Sequence, residues 1–237
     1  TMPVSGTSIV FYAQWTPASL VITYDEQGGG SIADGSVNVG ASISAAPTAP
    51  IRAGYTLTGW STTSTGSVVT FPYSHGQTAN FTLYAIWIAN TLTITYDSKG
   101  GTAVTSGTVN TAASISSAPT APTRTGYTFS AWSATDGGTA ITFPYAHGQT
   151  ANFTLYALWT ADGNVVAFNN NSGSGTMSNQ SIVSGTATAI TTNSFTRTGY
   201  TFAGWATTSG GSSSKTDGAS VTVLVDTTYY AVWTANK

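Results

Sequence analysis

Two histidines are the residues of this sequence best suited to chemistry, because a neutral imidazole can act as a base or as a metal ligand. His75 and His147 lie 72 residues apart, and each opens a copy of the segment His-Gly-Gln-Thr-Ala-Asn. Zinc is usually held by three or four side chains of the Cys, His, Asp or Glu type, and neither histidine has such neighbours close by in the sequence. The pattern favours structural loop histidines, and we predict no metal and no cofactor.

Two tyrosines accompany these histidines. Tyr73 and Tyr145 stand two residues before His75 and His147, respectively. Tyrosine combines an apolar ring with a polar tip and is enriched at interfaces. The four residues are therefore the candidate binding surface, and a host or cell-wall glycan or a receptor is the partner that they would suit.

Carboxylates give no sign of catalysis. Acid–base chemistry would need a pair of them, but Glu26 is the only glutamate, and Ser98 stands at the equivalent place in the next repeat. Asp25 and Asp97 do recur, just before glycine-rich turns. An aspartate in that position bonds local backbone N–H groups. We therefore predict that the protein is not an enzyme.

One arginine recurs before each Gly-Tyr pair, at Arg52, Arg124 and Arg197. A guanidinium can bridge a carboxylate or stack on an aromatic ring, which favours a structural role. Binding of an anionic surface polymer is the alternative.

The composition excludes several classes of protein. The 237 residues include 6 Lys and Arg, 8 Asp and Glu and no Cys. So few basic residues cannot neutralise the phosphates of a nucleic acid, and a chain without Cys has no disulfide framework. The sequence contains no run of about 18 apolar residues, so it predicts no membrane span. The 12% aromatic content and the net charge of −2 favour a folded chain over a disordered one.

The sequence is a tandem repeat. A closing motif of the type Tyr-Ala-x-Trp ends at Trp15, Trp87, Trp159 and Trp233, at intervals of 72, 72 and 74 residues. A second motif, Arg-x-Gly-Tyr-Thr, recurs in step with it, and such periodicity predicts repeated structural units. We define residues 1–15 as the closing strand of a preceding or incomplete repeat, residues 16–87 as module one, 88–159 as module two, 160–233 as module three and 234–237 as a tail.

The hydrophobic pattern of each module predicts β-strands. Leu20–Asp25 and Tyr55–Trp60 alternate apolar and polar residues, which is typical of half-buried strands, and Gly35–Val39 is a shorter candidate. Thr82–Trp87 is apolar on both faces, so we expect it to be a central strand or to be covered on both sides. Ala41–Ser44 has room for one helical turn before the prolines that follow. The fold class is mainly β, with a small α+β module as the upper limit of helix content.

Repeated aromatic residues are the predicted core. A module of about 72 residues without disulfides needs large apolar side chains to be stable. The core set comprises one tryptophan after each Gly-Tyr motif, the closing tryptophans and the motif tyrosines: Trp60, Trp132, Trp205, Trp15, Trp87, Trp159, Trp233, Tyr55, Tyr127 and Tyr200.

These motifs resemble a known family, the Listeria–Bacteroides repeat, also called the internalin B-repeat. Module three shows the likeness best, with Gly199-Tyr200-Thr201-Phe202-Ala203-Gly204-Trp205 and the ending Tyr229-Tyr230-Ala231-Val232-Trp233. The resemblance implies a small β-grasp-like module, arranged in tandem on large bacterial surface proteins and without enzymatic activity. Family repeats usually carry more charge than this chain, so binding properties of charged members are not transferred.

From these observations we expect a non-enzymatic structural or adhesion segment of a large extracellular protein, secreted or displayed on a bacterial surface. It would act as a rod-like spacer or presenting stalk, because the linkers between modules are very short. The first residues show no signal-peptide pattern. We therefore interpret the chain as a piece of a longer protein.

Two alternatives stay open. The chain could be the subunit of a self-assembling extracellular filament or sheath, with residues 7–15 adding to a sheet edge of another copy. It could instead be a carbohydrate- or receptor-binding module.

Overall fold

The computed structural model describes Gly6 and residues 10–237, and every regular element in this part of the chain is a β-strand. The mainly β prediction is confirmed, and the described residues contain no helix long and apolar enough to cross a membrane. The helical turn expected at Ala41–Ser44 is wrong. Ser42–Ile43 forms a short strand, because pairing with Tyr73–Ser74 buries the Ile43 side chain.

The described chain divides into two compact units. Unit 1 holds the residues up to Thr91 together with Asn110–Ala112 and Gly148–Ala151. Unit 2 holds Leu92–Val109, Ala113–His147 and Asn152–Lys237. Module one therefore lies in unit 1, whereas module three and most of module two share unit 2.

Module one consists of two sheets. Its strands are β1 (Ser19–Asp25), β2 (Gly35–Asn38), β3 (Ser42–Ile43), β4 (Tyr55–Ser61), β5 (Tyr73–Ser74) and β6 (Phe81–Ala89). A four-stranded sheet has the order β2-β1-β6-β4, and β3 and β5 form a two-stranded sheet. Within the larger sheet, β6 runs parallel to β1 and antiparallel to β4.

The closing strand β6 lies inside the sheet, as its two apolar faces predict. Leu83 and Ala85 point into the core and are 0% and 2% exposed. Tyr84 and Ile86 are half-buried on the opposite face. The last element of the module to be synthesised therefore completes both its hydrogen-bonded ladder and its core.

A single cluster of apolar side chains forms the core of module one. Trp60 is 1% exposed, and the ring of Tyr24 meets it edge-on at 5.1 Å between centroids. The other buried members of the cluster are Ile22, Ile43, Leu83 and Ala85. Burial of a tryptophan on this scale contributes a large share of the stability of so small a module.

The second tryptophan of the module has a different task. Trp87 is half-buried, and its indole N–H donates a hydrogen bond to the carbonyl of Glu26 at 2.8 Å. Glu26 belongs to the turn between β1 and β2, so the closing strand holds this turn in place. Trp159 and Trp233 make the equivalent bonds to Ser98 and Asn170.

Modules two and three repeat this plan. Module two contains β7 (Thr91–Asp97), β8 (Gly107–Asn110), β9 (Ser114–Ile115), β10 (Tyr127–Ser133), β11 (Tyr145–Ala146) and β12 (Phe153–Ala161). Module three contains β13 (Gly163–Asn169), β14 (Gln180–Val183), β15 (Thr188–Ala189), β16 (Tyr200–Ala206), β17 (Ser220–Val221) and β18 (Thr227–Ala235). Each has a four-stranded and a two-stranded sheet, and Trp132 and Trp205 are 1% and 0% exposed.

The closing strands run two residues beyond the predicted module ends. Because β6 reaches Ala89 and β7 begins at Thr91, Asn90 alone separates two strands, and Asp162 does so between β12 and β13. Each of these two junctions therefore consists of one residue.

The predicted closing strand within residues 1–15 is not formed in its described part. Residues 1–5 and 7–9 lie outside the described residues, and residues 10–15 have no regular structure. Trp15 is 89% exposed, so its assignment to a core is wrong. The physical reason is that a closing strand is buried between two strands of its own module, and residues 10–15 have no such neighbours here.

We predict that Gly29→Ala destabilises module one by about 1–3 kcal/mol, because the added methyl overpacks a tight contact. A Cβ at Gly29 would lie 2.8 Å from the Trp87 ring. The matched control is Gly30→Ala, whose Cβ would have no neighbour closer than 3.7 Å. Hydrogen-exchange mass spectrometry in urea would resolve module-one peptides, and equal destabilisation by both variants would contradict this account.

Alkaline pH should also weaken the fold. Burial raises the pKa of Tyr24, Tyr96 and Tyr229, and Asp34 adds to the effect at Tyr24. The resulting stability is fully present below the ordinary tyrosine pKa of about 10 and is lost as pH rises through the folded-state pKa. We expect the thermal midpoint, followed by circular dichroism, to fall above about pH 10. Replacement of all three tyrosines by Phe should reduce this fall, and an unchanged fall would refute the assignment.

Candidate functional site

The two histidines are buried components of the loops that contain them. His75 is 4% exposed, and its ring stacks on Phe81 at 5.1 Å. Its Nδ1 accepts a hydrogen bond from the backbone N–H of Gln77 at 2.9 Å. His147 is equally buried and stacks on Phe153. Their assignment to a binding surface is therefore wrong, because neither ring faces solvent.

Tyr73 and Tyr145 are half-buried and lie against the cores of modules one and two. Each occupies a short strand of the two-stranded sheet, opposite Ile43 and Ile115, respectively. Each tyrosine and the histidine two residues after it therefore lie on one folded segment. The tyrosine packs against the core, and the histidine stacks on a phenylalanine.

The recurring arginines stack on the tyrosines of their own motifs. The guanidinium carbon of Arg52 lies 3.9 Å from the ring centroid of Tyr55. Arg124 and Arg197 make the same contact at 3.8 and 3.9 Å. Such cation–π pairs stabilise the segment that enters β4 and its equivalents.

The recurring aspartates shape turns. Oδ1 of Asp25 accepts the backbone N–H of Gln27 at 2.9 Å, and Asp97 does the same for Lys99 at 2.8 Å. Both acceptors hold a residue in the left-handed region, with φ of 50° at Gln27 and Lys99. Among the described residues no three His, Cys, Asp or Glu side chains are grouped as a metal site would require.

A network of hydrogen bonds surrounds the junction between modules two and three, inside unit 2. The backbone N–H of Asp162 donates to the Gly126 carbonyl at 2.9 Å, and the Asp162 carbonyl accepts from Ser184 at 2.9 Å. Its carboxylate accepts the Thr128 hydroxyl at 2.7 Å. The single junction residue is thus bonded to the module before it and to the module after it.

Gly126 of the Arg-x-Gly-Tyr motif permits close approach at this joint. Its φ is +78°, and a Cβ there would lie 2.6 Å from the Ser184 hydroxyl and 2.8 Å from the Leu224 carbonyl. Ser184 is 2% exposed and accepts a hydrogen bond from the side-chain amide of Asn164 at 2.6 Å. The joint is therefore closely packed.

Equivalent bonds occur inside unit 1. Asn90 donates to the Gly54 carbonyl, and its own carbonyl accepts from Thr111, both at 2.9 Å. The Asn90 side chain accepts the Thr56 hydroxyl at 2.6 Å. A Cβ at Gly54 would lie 2.7 Å from Thr111, so the same close approach occurs here.

Each half of this network also occurs separately near an end of the described chain. At one end of the described chain, Val39 donates to the carbonyl of Ala18, which holds the junction position before β1. At the other end, Asn236 donates to Gly199 and accepts the Thr201 hydroxyl. The bonding pattern is therefore built into each module.

The hydrogen-bonded joint at Asn90 and Asp162 is not among the features predicted from the sequence. A signal was present, since Asn90, Asp162 and Asn236 each stand three residues after a closing tryptophan. Each of these side chains has an oxygen that can accept a hydrogen bond. A polar residue between two strands, however, ordinarily indicates only a turn. Its second set of partners lies about 20 residues further along the chain, beyond any local pattern.

Comparisons with known proteins agree with the repeat pattern. The family model for the Listeria-Bacteroides repeat domain matches residues 21–86, 93–158 and 165–232. Internalin H of Listeria monocytogenes serovar 1/2a is 38% identical over 132 residues, which cover 54% of this chain and 24% of that protein. A putative membrane protein of Evansella cellulosilytica is 24% identical over 235 residues, 97% of this chain and 35% of that protein.

A putative Gly-rich membrane protein of the same organism is 25% identical over 166 residues, which cover 70% of this chain and 19% of that protein. The chain thus spans about a third or less of the length of these relatives. The three family matches fall on the three modules and leave the junction residues between them. The chain belongs to the Listeria-Bacteroides repeat family.

Proposed function

We propose that this chain is a spacer segment of a bacterial surface protein, in which stiff joints between modules hold and present whatever the parent protein carries beyond them. The observation that carries this proposal is the junction residue bonded on both sides, as Asp162 is to Gly126 and Ser184. The relationship to Internalin H and to proteins named as membrane proteins supports a location at the cell surface.

The physical argument concerns the linker. Long flexible linkers let domains reorient freely, whereas here one residue separates two strands and its N–H and C=O are both bonded. Reorientation would break these bonds and leave the backbone groups that make them without partners. A tandem array of such joints transmits orientation from one module to the next.

The proposal also includes the type of module and the arrangement of the modules. The central parallel pair β1–β6, flanked by β2 and β4, supports a β-grasp-like module that lacks the usual helix. Three such modules, each about 30 Å across, would form a rod of about 90 Å.

Self-assembly is a second candidate function, favoured by one observation. Phe11 and Tyr12 are 89% and 82% exposed, and they belong to a segment that matches the closing strands in sequence. Low net charge gives little repulsion between copies. Such a segment could add to another sheet in a filament or sheath.

Small-angle X-ray scattering across a concentration series tests the spacer against the filament. The spacer proposal predicts a particle of monomeric mass and a length of about 90 Å at every concentration. Mass and length that grow with concentration would contradict it and favour the filament. A monomer whose dimensions correspond to freely reorienting modules would contradict the stiff joints.

Gly126→Ala should loosen the joint between modules two and three. We expect amide exchange of Asp162 and Ser184, followed by NMR, to accelerate about tenfold or more, because overpacking costs about 1–3 kcal/mol. The control is Gly199→Ala, which has the same φ of +78° but no atom within 4 Å of the added Cβ. It should show only the backbone strain of about 1–2 kcal/mol in module three, and faster exchange at the joint in this control would refute the assignment.

A further inference from the structure

Module one contains a cleft that the spacer role does not use. It lies between the turn after β1 and the loop after β4, above the end of β6, and has a volume of about 380 Å³. Binding sites for small molecules begin at about 300 Å³, so the cleft can hold one sugar-sized ligand. Its lining comprises Gln27, Arg52, Ser64, Thr65 and the strand residues Ala85, Ile86 and Trp87.

Arg52 gives the cleft its charge. Its guanidinium rests on Tyr55 at 3.9 Å and lies 6.0 Å from the Trp87 ring. Among the described residues the one ion pair joins Lys99 to Asp136, so Arg52 has no carboxylate partner. Stacking fixes the guanidinium plane, and this leaves its N–H donors available for a planar anion.

The same place is filled in the other two modules. Gln27, Lys99 and Asn171 are equivalent turn residues, with φ of 50°, 50° and 47°. In module two, Lys99 pairs with Asp136 at 2.6 Å across the position of the cleft. In module three, Asn171 donates to the Ala231 carbonyl at 2.8 Å and accepts the Ser209 hydroxyl at 3.3 Å.

The equivalent residues of module one, Gln27 and Ser64, line an open cleft. Gln27 faces Ser64 across the cleft, where the other modules place the linked pairs Lys99–Asp136 and Asn171–Ser209. Module two shows that this scaffold accepts a carboxylate at its rim, since Asp136 supplies one from the loop itself. In module one, Ser64 stands at this position, so the loop supplies no carboxylate of its own.

We propose that the cleft of module one binds a sugar acid, with the carboxylate of a uronic acid on Arg52. A carboxylate matches the fork of the guanidinium, and the hydroxyls of a sugar ring match the Gln27 amide and the Ser64 and Thr65 hydroxyls. Trp87 and Ile86 supply the apolar floor. The site is separate from the joints and from the spacer role.

The first test is NMR titration of the full chain with glucuronate, followed at the Arg52 side-chain N–H and the Gln27 amide. We expect saturable shifts confined to module one, and no shifts with glucose or with the methyl ester of glucuronic acid. Acetate that competes at the same concentration as glucuronate would overturn the assignment to a sugar acid. Absence of saturation by glucuronate would overturn the site.

Matched variants distinguish loss of binding at the cleft from loss of folding. Arg52→Ala should weaken glucuronate binding about tenfold or more, because it removes a charge-assisted bidentate pair. Arg124→Ala, at the equivalent position of module two, should leave it unchanged. Thermal unfolding of both variants checks that the modules remain folded, and equal loss of binding in both would overturn the site.

A transplant between modules is the sharpest test. Gln27→Lys with Ser64→Asp gives module one the ion pair of module two and should abolish binding without changing the core. Lys99→Gln with Asp136→Ser should open the cleft of module two and raise the stoichiometry from one to two glucuronates per chain. Persistent binding in the first double variant would overturn the proposal.

Discussion

The position of the closing strand in the middle of each sheet is the constraint on which the rest of this structure depends. Because β6 pairs with β1 on one side and β4 on the other, a module is complete only when its last strand is in place. The same strand contributes Leu83 to the core and holds the first turn through Trp87. It then ends at Ala89, immediately before the junction residue Asn90.

Much of this plan is readable from the sequence, because it depends on periodicity. Alternation of apolar and polar residues predicts β1 and β4, and apolar residues on both faces predict that β6 is central or covered on both sides. Trp60 recurs in every module because every module needs its own core, and it is buried as a core residue would be. The repeat gives these inferences their strength, since each position is observed up to three times.

The remaining features depend on contacts between distant segments, which periodicity does not encode. His75 resembles a surface residue in a polar loop, yet Phe81 and Gln77 enclose it. Trp15 has the sequence of a core residue, but burial of such a strand requires neighbours from its own module. The joint at Asp162 and the open cleft beside Arg52 likewise arise only when two separate turns or modules meet.

The proposed spacer role requires that the bonded junction residue Asp162 make modules two and three one rigid pair. The chain lacks cysteine, so nitroxide labels at Thr142→Cys in module two and Ser212→Cys in module three would be specific, and both positions are exposed. The distance distribution between these labels, measured by double electron–electron resonance, tests the claim directly. A single distribution no broader than the label's own mobility is predicted. A broad or multimodal distribution would show that the modules reorient and would contradict it.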